Sequence, residues 1–372
     1  MPYLDRRSRS NLAASSLEEA PAPARRMLTP FFHAWEHRLA SVTSDRVVRP
    51  FDWGLDWIPR PPGSAVPSDP SALDEYVAGI LRDTDAWYAP EPSSGFDLRP
   101  GTADGPALLT FPTPRPTPHA ANNTVYAQYF PARVRRTGDR ARRAVLVMAQ
   151  WNSDRGGHVG LARLLAWFGI SALRISLPYH DWRMPPELTR ADYIVSSNVG
   201  RTLEVCRQAV LDARRAIDWL EQQGYQSIGV LGTSLGSCLS MLTAAHDPRV
   251  RAAALNHVSP YFGDVVWRGL STAHVREGLD GHIDLETLRR LWMPISPFHY
   301  LDRLHDRRTL LVYARYDLTF PLDLSRLLVG EFKRRAIPHR VTALPCGHYS
   351  TGATPFKYMD GYVLTRFLTQ NL

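Results

Sequence analysis

The chain has 372 residues, 44% of them hydrophobic, and a formal net charge of +8, which suits one large domain with an ample core plus an extension. The charge does not imply nucleic acid: Lys333 and Lys357 are the only lysines, the arginines are spread through predicted helices and loops, and no helix-turn-helix, finger or RNP pattern accompanies them. Three cysteines, Cys206, Cys238 and Cys346, without a C-x-x-C pair, suggest neither a disulfide framework nor a zinc knuckle. With no apolar h-region after Met1 and no run of 18 or more apolar residues, the expectation is a soluble, cytoplasmic chain without a membrane partner.

Residues 1 to about 120 read as a proline-rich extension. Pro21, Pro23, Pro30, Pro50, Pro59, Pro61, Pro62, Pro67 and Pro70, and a second series from Pro90 to Pro118, remove backbone donors and fix φ, so long helices and central strands are not expected there. Between the two series, Ser71 to Tyr88 has the pattern of a helix, with Ser71 as its cap and Leu73, Tyr76, Val77, Ile80, Leu81 and Trp87 as one apolar face. Phe31, Phe32, Trp35, Trp53 and Trp57 argue that the extension packs on the main domain. His33 and His37 stand at i, i+4 but lack the H-E-x-x-H order and a third ligand, so no metal is assigned.

From Asn123 the pattern alternates between strand and helix. Val125 to Phe130 and Ala144 to Ala149 are predicted strands, Gly160 to Phe168 a helix, and Ala172 to Leu177 a strand. A long helix is predicted from about Ala191 to Gln223, with Val199, Leu203, Cys206, Val210, Ala213, Ile217 and Leu220 on one face. A strand ending at Leu231, a helix from Leu235 to Ala245 and a strand from Ala252 to His257 follow. These are βαβ signals for a mostly parallel sheet with helices on both sides. Residues 259 to 300 fit no such rhythm and read as a helical cap. The strands Thr309 to Tyr313 and Arg340 to Leu344 complete the pattern.

Gly232-Thr233-Ser234-Leu235-Gly236 lies between a strand and a helix. That context makes Ser234 a candidate nucleophile, held in a strained turn whose glycines let strand and helix approach. Asp317 and His348 each lie just past the carboxyl end of a later strand, where open α/β sheets gather their ligands. Asp302, Asp306 and Asp323 are rival acids. No G-x-x-x-x-G-K-[ST] or G-x-G-x-x-G follows a strand, so no cofactor is expected.

The order Ser234, Asp317, His348, each on a strand-end loop, resembles the α/β-hydrolase superfamily over roughly residues 121 to 372. Within it, Leu177-Pro178-Tyr179-His180-Asp181-Trp182-Arg183 and Gly232 to Ser237 look like uncharacterised bacterial hydrolases near the dienelactone-hydrolase and acetyl-esterase branch. The resemblance implies an α/β-hydrolase fold with a cap and makes Ser234, Asp317 and His348 a catalytic triad. It implies an oxyanion hole using the Leu235 amide and a second amide from the turn after Ala149. There the superfamily shows His-Gly and this chain has Gln150-Trp151-Asn152; Trp151 takes the role by position, with Gln150 as rival.

Asn152, Tyr179, His180, Arg183 and His257 are candidate pocket residues. Structural readings stand beside them: Asp317 as the cap of a helix near Pro321, His348 as a turn histidine, Asp181 with Arg183 as an ion pair and Trp182 packed under the cap, and Cys346 as an inert thiol. The expected function is hydrolysis of an ester with a small or medium acyl group. The alternatives are a peptidase of the prolyl-oligopeptidase type and a catalytically silent binding protein with the same fold. Neither the alcohol released nor the oligomeric state is set by the sequence.

Overall fold

The computed structural model describes residues 22–91, 95–101, 105–132 and 142–372, with side chains from Leu28 onward. The first helix, α1 (Ala22–Ser41), runs through Pro30, in a stretch where the prolines predicted no long helix. Pro30 forgoes one helical hydrogen bond, but Phe32, Glu36 and Ala40, spaced by four, bury one face of α1. Phe32 stacks on Tyr316 with ring centroids 4.4 Å apart. Burial of that face offsets the lost bond.

The helix predicted over Ser71 to Tyr88 is two pieces, α2 (Ser71–Arg82) and α3 (Thr84–Trp87). The break is at Asp83, with φ −149° and ψ 80°, whose carboxylate accepts the Ala86 amide at 2.9 Å. Ser71 does not cap α2; Asp69 does that work, accepting the Ser71 amide at 2.8 Å. Leu73, Val77 and Ile80 are buried as the apolar face requires.

Among the described residues nine strands form one sheet: β1 (Asp97–Arg99), β2 (Ala107–Pro112), β3 (Thr124–Phe130), β4 (Arg143–Met148), β5 (Ser171–Ile175), β6 (Ser227–Thr233), β7 (Val250–Asn256), β8 (Arg308–Ala314) and β9 (His339–Leu344). Their order is β1-β2-β3-β5-β4-β6-β7-β8-β9. The first three pairings are antiparallel and the remaining five parallel. β1 and β2 lie within the proline-rich stretch and extend one edge of the sheet.

The remaining helices are α4 (Val159–Trp167), α5 (Val199–Gln222), α6 (Leu235–His246), α7 (Phe262–Arg268), α8 (Ala273–Leu279), α9 (Leu285–Leu291), α10 (Leu322–Arg334) and α11 (Phe356–Asn371). Side chains alternate across β4: Ala144, Leu146 and Met148 join the core under α5, α6 and α10, whereas Val145 and Val147 join the core under α4 and α11. That period of two, with both faces covered, is what a buried parallel strand needs. The architecture is doubly wound. α5 starts at Val199 rather than Ala191, because Asn198 caps it by accepting the Arg201 amide at 2.8 Å. The residues before it pair instead with the extension, where the Asp52 amide donates to Ser197 O at 3.2 Å.

α7, α8 and α9 lie within residues 259 to 300, and α7 lines the cavity described below. Among the described residues no helix is long and apolar enough to cross a membrane.

Candidate active site

The turn from β6 into α6 holds Ser234 at φ 57° and ψ −120°, a left-handed conformation that a non-glycine residue adopts only when its surroundings force it. The backbone does so from three sides. The Ser234 amide donates to Asn256 O at 2.8 Å, while Ser234 O accepts the amides of Ser237 and Cys238. A Cβ on Gly232 would lie 2.0 Å from Gly236 O, and one on Gly236 would lie 2.2 Å from Met148 O. Only glycine fits either position. The sequence reading of this turn therefore has a direct steric cause.

Seven described non-glycine residues have positive φ, and four of them, Asn152, His158, Ser234 and His257, line one cavity of about 1380 Å³ at the carboxyl edge of the sheet. Strain of this kind concentrates at functional sites. Phe262, Val265 and Val266 from α7 and Phe320 give the cavity an apolar wall. Leu235, Gln150, Trp151 and His348 line it as well.

Asp317 follows β8 and is buried. Its Oδ1 accepts the amides of Thr319 at 2.8 Å and Phe320 at 2.7 Å, so it caps its own turn and not α10. Its Oδ2 accepts two imidazoles, His348 Nδ1 at 3.0 Å and His257 Nδ1 at 2.8 Å. Burial alone would raise its pKa, but the charge of His348 and the hydrogen bonds from His257 and His348 outweigh burial and hold the carboxyl well below its ordinary range. Asp317 is therefore ionised at neutral pH, and each histidine presents its other ring nitrogen elsewhere. The three side chains are also close enough to ligate a metal, their ligand atoms lying within 4.8 Å of one another. The contacts at 2.8 and 3.0 Å are hydrogen-bond lengths, with the carboxylate oxygen occupying the space between the rings.

The rival acids point away. Asp302 pairs with Arg335 at 2.9 Å and Asp323 with Arg268 at 2.8 Å, and Asp306 is exposed. The remaining link of the expected triad is open. Among the described residues Ser234 Oγ has no hydrogen-bond partner, so the expected contact with His348 is not made in this structure. In unliganded sites such contacts are often long and tighten on binding.

At the turn after β4, Asn152 N donates to His180 Nε2 at 2.9 Å and Ser153 N to Gln150 O at 3.1 Å. The amides of Gln150 and Trp151 are left without a backbone partner among the described residues, and both residues line the cavity. The packing of Gly236 on Met148 O and Ala149 O sets this turn beside the start of α6, where the Leu235 amide is one of the unpaired donors of a helix N-terminus.

Three candidate pocket residues are structural. His180 is buried, with Nδ1 donating to Pro178 O at 2.9 Å and Nε2 accepting from Asn152; burial, against the pull of the Pro178 bond and Asp181, lowers its pKa to about 4. Arg183 is fully buried and donates to the carbonyls of Asn122 and Ser176 while pairing with Asp212 at 2.8 Å. Asp181 pairs with Arg174 at 2.6 Å, so the Asp181–Arg183 pair read from the sequence does not form. Tyr179 is buried, its hydroxyl 3.0 Å from His119 Nδ1. Trp182 stacks on Tyr126. The Pro178 to Arg183 loop braces the turn after β4 and does not line the cavity. The three thiols are buried, and burial pushes Cys346 up to about 12 and raises Cys206 and Cys238 as well.

Other residues at the site carry no local signal in the sequence. Asp360 of α11 lines the cavity, accepting Asn256 Nδ2 at 2.9 Å, with its Oδ1 buried and unpaired. Burial raises it to about 6 against the opposing pull of His257 and Asn256. His158 Nε2 lies 2.8 Å from Thr233 Oγ1. Glu36 of α1 is fully buried and accepts the amides of Tyr349 at 2.8 Å and Ser350 at 2.9 Å, fixing the backbone after His348. It lies between His33 and His37, the pair that draws attention in the sequence.

A doubly wound sheet with a strained serine turn after β6, an acid after β8 and a histidine after β9 can be set against solved structures. An acetyl xylan esterase from Paenibacillus sp. R4 superposes with a TM-score of 0.58 at 16% identity, over 87% of this chain and 100% of that one. Acetyl xylan esterase 1 from Thermoanaerobacterium sp. JW/SL YS485 gives 0.56 at 14% identity, over 80% of this chain and 93% of the other. The chain has the α/β-hydrolase fold. Acylaminoacyl peptidase of Pyrococcus horikoshii shares it with a TM-score of 0.54 at 14% identity, over 75% of this chain, but this chain spans only 42% of the peptidase. No protein-family model and no curated protein sequence matches.

Proposed function

We propose that the chain is a cofactor-independent serine hydrolase that cleaves an ester of a small or medium acyl group through an acyl-enzyme on Ser234. The observation that carries this reading is Ser234, strained at φ 57° with its hydroxyl unpaired, sharing one cavity with a histidine anchored on a buried, ionised Asp317. A serine hydroxyl is a poor nucleophile until a base takes its proton. His348 Nε2 fills that role once substrate closes the gap to Ser234. Asp317 fixes the Nδ1–H tautomer and stabilises the imidazolium, and His257, on the same oxygen, acts as a positioning residue.

Attack on the acyl carbonyl gives a tetrahedral oxyanion. The Leu235 amide and the Trp151 amide, with Gln150 as rival, receive it. His348 then returns the proton to the departing alcohol, and water, activated by the same histidine, releases the acid. The acyl size rests on the acetyl xylan esterases that share the fold, and the apolar wall from α7 accommodates a longer chain.

The test is hydrolysis of p-nitrophenyl esters from acetate to decanoate by the wild type and by Ser234→Ala. The expected result is turnover that peaks at short or medium chains and falls at least 10³-fold in the variant, on the order of triad losses. Residual activity within tenfold of the wild type sinks the acyl-enzyme, and a folded wild type inert on every ester favours the silent binding protein.

A further inference from the structure

The cavity carries more positive charge than ester hydrolysis requires. Among its described lining residues four are basic, Arg46, Arg190, Lys357 and Arg366, and one, Asp360, is acidic. Arg190 pairs with Asp45 at 3.0 Å, and Arg49 takes Asp192 at 3.2 Å. Arg190 Nε comes only to 3.5 Å of Asp192 Oδ1, outside hydrogen-bond geometry. Three guanidinium groups thus share two carboxylates, and Arg46 is the surplus cation. Arg46 Nη2 donates to the Tyr349 hydroxyl at 3.0 Å, next to His348 in sequence.

Among the described residues four buried nitrogens near this wall make no hydrogen bond: Arg46 Nε, Arg190 Nε, and both ring nitrogens of His274, which does not itself line the cavity. His274 stacks on Trp151 with centroids 5.7 Å apart and planes 4° from parallel, and the Arg190 guanidinium lies 5.4 Å from the centre of the same indole. Burial first, then the charges of Arg190, Arg46 and Arg49, lower His274 to about 4. At neutral pH it is an uncharged ring with one N–H to donate. Buried donors that make no hydrogen bond are costly, and donors grouped with a surplus guanidinium match the chemistry of an oxyanion guest.

We propose that Arg46, Arg190 and His274 form a subsite, next to Trp151, for an oxyanion carried by the substrate, a carboxylate or a phosphate. The inference rests on the reading of Ser234 as the hydrolase nucleophile and narrows its substrate class to anionic esters. Carboxylate and phosphate share the chemistry of charge-assisted, bidentate acceptance from guanidinium. Lys357 and Arg366, on α11 in the same cavity, add to the field that draws an anion in.

Two substrate pairs separate the sources: p-nitrophenyl butyrate against mono-p-nitrophenyl succinate, and dioctanoylglycerol against its 3-phosphate. For each pair the ratio of kcat/KM, anionic over neutral, is measured in the wild type, Arg46→Gln and Arg46→Lys. The expected result is a ratio above one in at least one pair, reduced tenfold or more by Arg46→Gln and partly restored by Arg46→Lys. Ratios at or below one in both pairs, or ratios that Arg46→Gln leaves unchanged, overturn the subsite. Calorimetric titration of succinate and of inorganic phosphate into Ser234→Ala and into Ser234→Ala/Arg46→Gln gives a readout independent of turnover. Arg46-dependent anion binding by a protein inert on every ester counts against the hydrolase and for the subsite; no anion binding together with no ester preference removes the subsite alone.

Discussion

Asp317 accepts four hydrogen bonds, two from its own turn and two from histidines, and that saturation keeps it charged inside the protein. Asp360 is the opposite case. It is buried in the same cavity wall with one donor, Asn256, and an unpaired Oδ1, and its pKa rises from the ordinary 3.8 to about 6. The raised folded-state value fixes the sign of the pH effect. Below about pH 4 both folded and unfolded chains hold the proton and the contribution is fully present. Between about pH 4 and 6 the unfolded chain releases the proton first and stability falls, by about 3 kcal/mol in total, and above that it is flat. Denaturant unfolding of the wild type and Asp360→Asn is therefore expected to show the variant gaining relative stability from pH 4 to 6.5 and no further change to pH 8; a difference independent of pH contradicts a buried, proton-holding Asp360.

Ser234, Asp317 and His348 were legible because each follows a strand in a short local pattern. Glu36, Asp360 and Arg46 were not: their roles come from contacts far apart in the chain, such as Glu36 with Tyr349 and Ser350. His180 and Arg183 misled for a related reason. A polar loop at a strand end looks the same in sequence whether its side chains face substrate or, as here, the backbone beneath it.

Among the elements, the strands and helices from Thr124 onward follow the sequence pattern to within a few residues at most ends, since buried parallel strands and amphipathic helices write their burial into their periodicity. The start of α5 was missed by eight residues because Asn198, which caps it, is held by an isolated β-bridge to Asp52 of the extension. α1 was missed because its stability comes from docking and not from propensity. Its contribution to the site is testable. Glu36→Ala leaves the Tyr349 and Ser350 amides buried without acceptors, an expected loss of about 2–4 kcal/mol at roughly 1–2 kcal/mol for each. It also frees the loop that carries His348, so kcat is expected to drop more than KM changes. Chemical denaturation with ester kinetics checks both, and a variant with unaltered stability and kcat shows that α1 only covers the surface.

At the scale of the whole molecule, parallel order explains why the site is where it is. β4, β6, β7, β8 and β9 all run the same way, so Trp151, Ser234, His257, Asp317 and His348, each just beyond a carboxyl end, are brought to one edge of the sheet. The cap from α7 roofs that edge, and the extension closes its side through Glu36 and Arg46. The same fold is found at 14–16% identity in the solved esterases, where the fold persists although little of the sequence does. Chemistry has to be argued from the site itself. The most direct test is covalent labelling: a fluorophosphonate is added to the wild type, Ser234→Ala and His348→Asn, and adducts are mapped by peptide mass spectrometry. One adduct on Ser234, absent in Ser234→Ala and formed far more slowly in His348→Asn, is the predicted result; a folded wild type that stays unlabelled, or is labelled at another residue, contradicts a Ser234 nucleophile.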